Sequence, residues 1–208
     1  MYNVSMKNVS AEIRLDRVAR FYDAFNFFIE RFASRRRKEI LRQAKGNILE
    51  VGVGTESSLK DYPPNEQMVA VDTSQEMLRR AEEKLKNYNG KIELCRGDVR
   101  NLFFKDETFD TVFTSWVFCS VTDPVKGLME ARRVLKKEGK LLMLEHVKSR
   151  NMALGYLRHR SNLLVARLGV GNINRDTVEN LREAGFQIKQ ERNLAYDLVK
   201  AIVAVKRS

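Results

Sequence analysis

The chain is poor in cysteine and proline and has no long apolar run. Only two cysteines and three prolines occur among its 208 residues. Cys95 and Cys119 lack the spacing of a metal site or a disulfide framework, so we predict neither and expect two buried thiols in a reducing compartment. No stretch approaches the roughly 18–20 apolar residues that span a bilayer, and no signal-peptide pattern opens the sequence. We therefore expect a cytoplasmic protein.

Linker signals are also missing. No Ser/Gly-rich run, internal repeat or low-complexity segment interrupts the sequence, and 43% of its residues are hydrophobic. That much apolar material in a chain of this length predicts a sizeable core and argues against intrinsic disorder. We expect a single domain.

Acidic residues are scarce in two segments of the chain. The formal net charge is +11. Residues 1–45 carry 11 basic and 5 acidic groups, and residues 146–175 carry 6 basic groups and no acidic one. Each segment therefore contributes +6, and the remainder is close to neutral. Such a field favours an anionic partner, whether a phospholipid surface, a nucleic acid or an acidic metabolite.

From residue 47 onwards, short apolar strands alternate with helical segments. Ser74 is a predicted helix N-cap, and Pro124 is predicted to open a helix that ends at Gly139. The predicted strands are 48–51, 68–71, 91–95, 109–114 and 141–144, followed after a helix at 177–184 by a hairpin of 186–191 and 198–205. The pattern predicts an α/β fold: a doubly wound, Rossmann-like, mostly parallel seven-stranded sheet with an antiparallel C-terminal strand and helices on both faces.

Residues suited to ligand binding directly follow the predicted strands. In open α/β sheets, ligands bind beyond the carboxyl ends of the strands. Gly52 and Gly54 would let the chain turn tightly and let a ligand approach the backbone. Asp72 lies 20 residues after Gly52 and can accept hydrogen bonds from both ribose hydroxyls. This combination predicts a nucleoside-containing cofactor.

The residues after Gly54 argue against a dinucleotide. The dinucleotide fingerprint needs a third glycine at position 57, where this chain has Ser57. Glu56 lies near the start of the following helical segment, and its charge would repel a pyrophosphate. S-adenosylmethionine contains a ribose and an adenine but no phosphate, and its ammonium and sulfonium groups tolerate neighbouring carboxylates. The residues therefore favour S-adenosylmethionine over NAD.

Residues 47–145 resemble the core of the class I S-adenosylmethionine-dependent methyltransferases. They are most similar to the group that contains the ubiquinone/menaquinone ring methyltransferases and the bacterial phosphatidylethanolamine N-methyltransferases. The stretches that carry the resemblance are 49–55 (LEVGVGT), 71–78 (VDTSQEML), 97–99 (GDV), 109–112 (FDTV) and 133–139 (RVLKKEG). One position departs from the family pattern, because Glu56 stands where glycine is usual and would crowd the methionine pocket.

The resemblance implies S-adenosyl-L-methionine as the cofactor and assigns its contacts to matching positions. The implied contacts are Glu50, Gly52 and Gly54 with the methionine portion, Asp72 with the ribose, Thr73 and Met77 beside the adenine, Asp98 and Val99 at the adenine edge, and Thr114 and Trp116 towards the reacting centre.

Two further residues are candidate catalytic groups. Tyr22 belongs to a Tyr-Asp pair that resembles the one preceding the family core, where an N-terminal helix folds over the cofactor. His146 follows the fifth strand and is a candidate general base. We expect the domain to comprise an N-terminal helical lid (1–45), a cofactor-binding core (46–147), a substrate-side basic helical segment (148–175) and a C-terminal helix and hairpin (176–208).

We expect a methyltransferase with a small or amphiphilic acceptor, best a lipid-like one such as a phospholipid ethanolamine head group or a quinone precursor. An aromatic helical face precedes the basic run 35–38, and residues 148–168 mix leucines with arginines. These features fit peripheral contact with an anionic inner membrane face, but also plain packing and solvated charge.

Two alternatives remain open. The net charge suits an RNA methyltransferase, although no Asn/Asp-Pro-Pro-aromatic tetrapeptide follows the fourth strand; Glu56 alone suggests a non-catalytic cofactor-binding regulatory protein.

Overall fold

A computed structural model describes residues 34–54, 58–62, 67–86, 91–147, 175–194 and 199–207. Tyr22, Glu56, Ser57 and nearly all of the predicted segment 148–175 lie outside the described residues. In the described part, seven strands form one sheet in the order β3-β2-β1-β4-β5-β7-β6. They are β1 (Asn47–Val51), β2 (Gln67–Asp72), β3 (Ile92–Arg96), β4 (Phe109–Ser115), β5 (Leu135–His146), β6 (Phe186–Asn193) and β7 (Val199–Lys206).

The strand pairing confirms the predicted fold class. β1 lies between β2 and β4 and is parallel to both. Because the chain steps outwards to β3 on one side and to β5 on the other, the strand order reverses between β1 and β4. β7 lies antiparallel between β5 and β6, as the predicted hairpin requires. The reversal point is where a sheet of this kind leaves a crevice for a ligand.

Four helices accompany the sheet in the described part: α1, described over 34–41, α2 (Gln75–Leu85), α3 (Pro124–Val134) and α4 (Thr177–Glu183). The predicted starts of α2 and α3 are confirmed. The Ser74 hydroxyl accepts a hydrogen bond from the Met77 N–H. The carboxylate of Asp123, the residue before Pro124, accepts one from the Lys126 N–H. Both caps satisfy backbone donors that a helix start leaves without partners.

The predicted end of α3 is wrong. The sequence pattern extends this helix to Gly139, but α3 ends at Val134 and β5 begins at Leu135. Leu135 is extended and fully buried, and it pairs with Phe109 of β4. The carbonyls of the last two helical residues accept hydrogen bonds from the N–H groups of residues 107 and 108, which come just before β4. Pairing with this segment therefore replaces a further helical turn.

Helices cover both faces of the sheet. On one face, α3 and α4 pack against side chains such as Leu141, Met143 and Ile202. On the other, α1 and α2 pack against Ile48, Phe113, Leu142 and Val203. The alternation along β5 follows from the period of two residues in a strand that is buried on both sides. This double cover leaves the carboxyl edge of the strands as the place for polar side chains.

The two thiols differ in burial. Cys119 is buried as expected, whereas Cys95 is only partly buried, and neither forms a disulfide. Within the described ranges, no helix combines the length and the apolar character that a membrane crossing requires.

Candidate cofactor and acceptor site

Two glycines turn the chain after β1. Gly52 and Gly54 have φ angles of +71° and +57°, in the left-handed region that favours glycine. The N–H of Gly52 donates to the Val71 carbonyl at 2.7 Å, which holds the turn against β2. A Cβ atom on Gly52 would lie 2.3 Å from the Val117 side chain. Position 52 therefore excludes any side chain, on conformational and on steric grounds.

Asp72 connects this turn to the start of α2. Its carboxylate accepts hydrogen bonds from the N–H of Gly54 and the N–H of Ser74, each at 2.9 Å. A carboxylate accepts hydrogen bonds from hydroxyl groups such as those of a ribose. The side chain is only partly buried, so it can meet a ligand at the carboxyl end of β2.

Glu50 lies on β1, two residues before the turn, and is completely buried. One carboxyl oxygen accepts a hydrogen bond from the Ser58 hydroxyl, while the other, Oε2, has no hydrogen-bond partner among the described residues. Burial raises the pKa of Glu50 to about 7, although hydrogen bonding with the Ser58 and Tyr62 hydroxyls and the nearby Arg37 charge act to lower it. Because a buried carboxyl oxygen without a partner is costly, this atom marks a place for a cationic or donor group.

An ion pair lies beside Glu50. The Arg37 guanidinium contacts the Asp61 carboxylate at 2.9 Å, and both side chains are essentially inaccessible to solvent. This pair ties α1 to the 3-10 helix Leu59–Asp61, which follows Ser58. The carboxyl group of Glu50 is thus enclosed by the segments that come before and after β1.

The predicted adenine-side residues occupy different environments. Asp98 is held by Arg100, whose guanidinium and backbone N–H both donate to its carboxylate. Partial burial alone would raise the pKa of Asp98, but the hydrogen bonds from Arg100 lower it. Val99 is buried beside α3, and Met77 is buried at the start of α2. The Thr73 carbonyl accepts a hydrogen bond from the Arg96 guanidinium at 3.3 Å.

The carboxyl ends of β4 and β5 meet at a second buried carboxyl group, that of Glu145. Its Oε1 atom accepts hydrogen bonds from the Thr114 hydroxyl at 2.9 Å and from the N–H groups of Val117 and Phe118 at 3.0 and 3.3 Å. Its Oε2 atom has no hydrogen-bond partner among the described residues. Burial raises the pKa of Glu145 to about 7 against the lowering effect of these hydrogen bonds.

Trp116 follows β4 in a strained backbone conformation. Its φ angle is +60°, which is rare for a residue with a bulky side chain. The indole ring packs on the imidazole of His146, with the ring centroids 4.4 Å apart. His146 itself ends β5, and its carbonyl accepts a hydrogen bond from the Thr177 hydroxyl of α4. An aromatic pair thus stands at the carboxyl ends of β4 and β5.

Comparison with known proteins decides the family. Residues 49–143 match the family model described as a methyltransferase domain. A phosphatidylethanolamine N-methyltransferase from Cereibacter sphaeroides is 36% identical over 142 residues, which cover 64% of this chain and 70% of that protein. The chain belongs to the S-adenosylmethionine-dependent methyltransferases. A demethylmenaquinone methyltransferase from Thermotoga maritima is 33% identical over 138 residues, 62% of this chain and 58% of that relative.

Solved structures share the fold of this methyltransferase. A S-adenosylmethionine-dependent methyltransferase from Thermotoga maritima superposes with a TM-score of 0.73 at 22% identity, covering 93% of this chain and 99% of that one. The YcgJ protein of Bacillus subtilis superposes with a TM-score of 0.69 at 17% identity, over 84% and 99% of the two chains. At these identities the likeness concerns the fold alone.

The residues at the carboxyl edge fit S-adenosylmethionine. Gly52 and Gly54 leave the backbone open to a ligand, and Asp72 places a partly buried carboxylate at the carboxyl end of β2, where a ribose would bind. The Oε2 atom of Glu50 offers a buried acceptor for the ammonium group of the methionine portion. These four residues would hold the cofactor.

The structure brings together only part of the predicted site. Glu50, Gly52, Gly54 and Asp72 cluster where β1 and β2 end, and Asp98 follows next to them after β3. The side chain of Thr114, in contrast, is fully buried and bonded to Glu145. The individual contacts of all these residues with the cofactor remain predictions.

Sequence reasoning missed Glu145 as a site residue. The available signal was that this glutamate directly follows the apolar run Leu141–Leu144, which predicts that it is buried with the strand. Charged residues are almost never fully buried unless they have a partner, so such a glutamate is a candidate for a special role. Its hydrogen bonds to residues about thirty positions earlier in the chain could not be read from the local pattern.

Replacing Gly52 by alanine should damage the cofactor turn. We expect Gly52→Ala to lower the free energy of unfolding by about 1–3 kcal/mol and to weaken S-adenosylhomocysteine binding roughly tenfold or more, because the left-handed backbone and Val117 both oppose a Cβ atom. Gly97→Ala is the matched control, since Gly97 also follows a strand but has no left-handed backbone, and its Cβ atom would lie 3.3 Å from the Phe103 ring and 3.7 Å from Val71. Equal affinities of the two variants in calorimetry would contradict this account.

The affinity for the cofactor product should depend on the charge of Glu50. Its pKa is about 7 in the free protein, and an adjacent ammonium group favours the ionised carboxylate. Binding of S-adenosylhomocysteine should therefore be about tenfold weaker at pH 6 than at pH 8, because a proton must leave before the cation is accommodated.

A pair of variants isolates this effect. Glu50→Gln should bind weakly and without this pH dependence. Glu76→Gln should keep the wild-type profile, because its Arg79 and Arg80 partners lower the pKa of Glu76 to about 2, outside the range of the titration. A wild-type affinity that stays constant from pH 6 to pH 8 would count against the role of Glu50.

Proposed function

We propose that this methyltransferase acts on a lipid-like acceptor, and specifically on the amine of a phospholipid ethanolamine head group. The observation that carries the proposal is the Trp116–His146 pair at the carboxyl ends of β4 and β5. This pair offers an aromatic surface for a cation and an imidazole for its proton. The amine of an ethanolamine head group needs both, because it is an ammonium ion at neutral pH.

The strain at Trp116 supports a functional role for its indole ring. A non-glycine residue in the left-handed region costs about 1–3 kcal/mol and persists where the surrounding structure enforces it, commonly at ligand sites. The backbone N–H of Trp116 donates to the Leu144 carbonyl at 3.0 Å. The backbone carbonyl of Trp116 accepts a hydrogen bond from the Cys119 thiol. Indole is the aromatic group that attracts ammonium ions best.

The role proposed for His146 is proton transfer. An ammonium ion has no free electron pair, so the acceptor amine must lose a proton before it can attack a methyl group. Histidine is the side chain most often used for such transfers near neutral pH. In this proposal the indole of Trp116 orients the head group, and the imidazole of His146 takes the proton from its nitrogen.

The cofactor residues supply the other half of the reaction. When bound, S-adenosylmethionine provides a methyl group that is activated by its sulfonium charge. Glu50 would hold the methionine portion of the cofactor and Asp72 its ribose, both on the carboxyl edge of the sheet. Methyl transfer is an in-line displacement, so fixing donor and acceptor at this edge accounts for much of the acceleration.

Sequence relatives and charge support a lipid acceptor. One relative is named a phosphatidylethanolamine N-methyltransferase, and another a demethylmenaquinone methyltransferase. Both printed acceptors are lipids. The two basic segments, 1–45 and 146–175, each carry a charge of +6, which favours peripheral contact with an anionic membrane surface at about 1 kcal/mol per basic residue near it.

Labelled S-adenosylmethionine and vesicles of defined composition test the proposal. We expect label to enter phosphatidylethanolamine in vesicles that mix it with phosphatidylglycerol. No label should enter the lipid of vesicles in which phosphatidylcholine replaces the phosphatidylethanolamine. His146→Gln should reduce turnover roughly a hundredfold, within the range that general bases contribute, while leaving S-adenosylhomocysteine affinity unchanged.

Other labelling patterns would contradict the amine acceptor. Label in a demethylated quinone but not in phosphatidylethanolamine would move the acceptor to a ring carbon. Label confined to water-soluble products would exclude a lipid acceptor, and label in transfer RNA would restore the RNA methyltransferase hypothesis.

A further inference from the structure

Glu145 binds the chain on both sides of Trp116. Its Oε1 atom accepts one hydrogen bond from Thr114, which precedes Trp116 by two residues, and two from Val117 and Phe118, which follow it. All three donors therefore converge on a single oxygen at the end of β5. The backbone of Trp116 has no freedom to relax its positive φ angle while these bonds hold.

We propose that Glu145 is a positioning residue of the methyl-transfer site, which acts by clamping residues 114–118 across the end of β5. Glu145 is not expected to touch the acceptor. It acts through Trp116, whose indole the clamp holds against His146. The proposal thereby adds a residue to the site without assigning it any chemistry of its own.

The clamp also reaches the cofactor side. The N–H of Val117 donates to Glu145, and the side chain of Val117 occupies the space above Gly52. A shift of Val117 would therefore alter the turn after β1 as well as the chain after β4. Glu145 thus sets the distance between the two halves of the site through one intermediate residue.

Neighbouring charged groups do not replace the clamp. Lys200 of β7 lies directly opposite Glu145 in the sheet, but its ammonium group is paired with Glu191 of β6. Burial raises the pKa of Glu145, and the hydrogen bonds from Val117, Phe118 and Thr114 act to lower it. The carboxyl group is retained in an apolar setting where a hydrocarbon side chain would avoid the cost of desolvation. Its hydrogen bonds to residues 114–118 account for its presence.

Two substitutions separate the clamp from packing. Glu145→Gln keeps a carbonyl oxygen that can accept all three hydrogen bonds, and Glu145→Leu fills a similar volume without any acceptor. A residue needed only for packing would tolerate leucine at least as well as glutamine. A clamp tolerates glutamine alone.

Fluorescence provides a readout that needs no acceptor. Trp116 is the single tryptophan of the chain, so acrylamide quenching reports on its position directly. We expect Glu145→Gln to retain the wild-type quenching constant and Glu145→Leu to raise it about twofold or more, with circular dichroism unchanged. In the vesicle assay at saturating cofactor, turnover should fall roughly tenfold or more in Glu145→Leu and be restored in Glu145→Gln.

Two results would overturn the proposal: wild-type quenching in folded Glu145→Leu, or equal losses in both variants. If Glu145→Leu does not fold, Thr114→Val decides the question. Valine has nearly the same shape as threonine but lacks the hydroxyl that donates one of the three hydrogen bonds to Glu145. Unchanged quenching in that variant would contradict the clamp. The fluorescence arm does not depend on the ethanolamine acceptor, so a failure of that assignment would be seen separately in the vesicle assay.

Discussion

Val117 occupies the space that a side chain at position 52 would fill, and through this contact the cofactor turn and the acceptor side share one boundary. Gly52 can turn in the left-handed region and still receive Val117 only because it lacks a Cβ atom. The turn presents Gly54 to Asp72, and Asp72 in turn holds the start of α2. On the other side, Val117 is anchored by Glu145. The whole carboxyl edge depends on how closely these two loops approach each other.

Two buried carboxyl groups at this edge have similar pKa values but different hydrogen-bond donors. Burial raises the pKa of both Glu50 and Glu145 to about 7. Glu50 faces only the side-chain hydroxyls of Ser58 and Tyr62, which leaves it able to respond to an incoming cation. Glu145 accepts from two backbone N–H groups and a hydroxyl, which commits it to holding the chain in place. The difference lies in the hydrogen-bond donors, because the two groups are equally buried.

The sequence was sufficient for features that depend on local pattern. Strand positions, the Ser74 cap, the helix start at Pro124 and the strand-end position of Asp72 follow from periodicity, capping preference and spacing. The end of α3 was missed because pairing between Leu135 and Phe109 outweighs the local helical pattern. The hydrogen bonds of Glu145 and the φ angle of Trp116 were beyond reach, since both arise from contacts between distant parts of the chain. The part of the site that we propose for the acceptor is thus the part least visible in sequence.

Glu50 is a buried acid with a pKa of about 7 in the free protein, and we expect it to become a carboxylate when the cofactor's ammonium group arrives. Carbon-13 NMR of the labelled glutamate carboxyl groups, with Glu50→Gln for assignment, measures this ionisation directly. We expect the Glu50 signal to titrate near pH 7 in the free protein and at a clearly lower pH with S-adenosylhomocysteine bound. A signal that titrates at an ordinary glutamate pKa, or that is unmoved by the ligand, would contradict it.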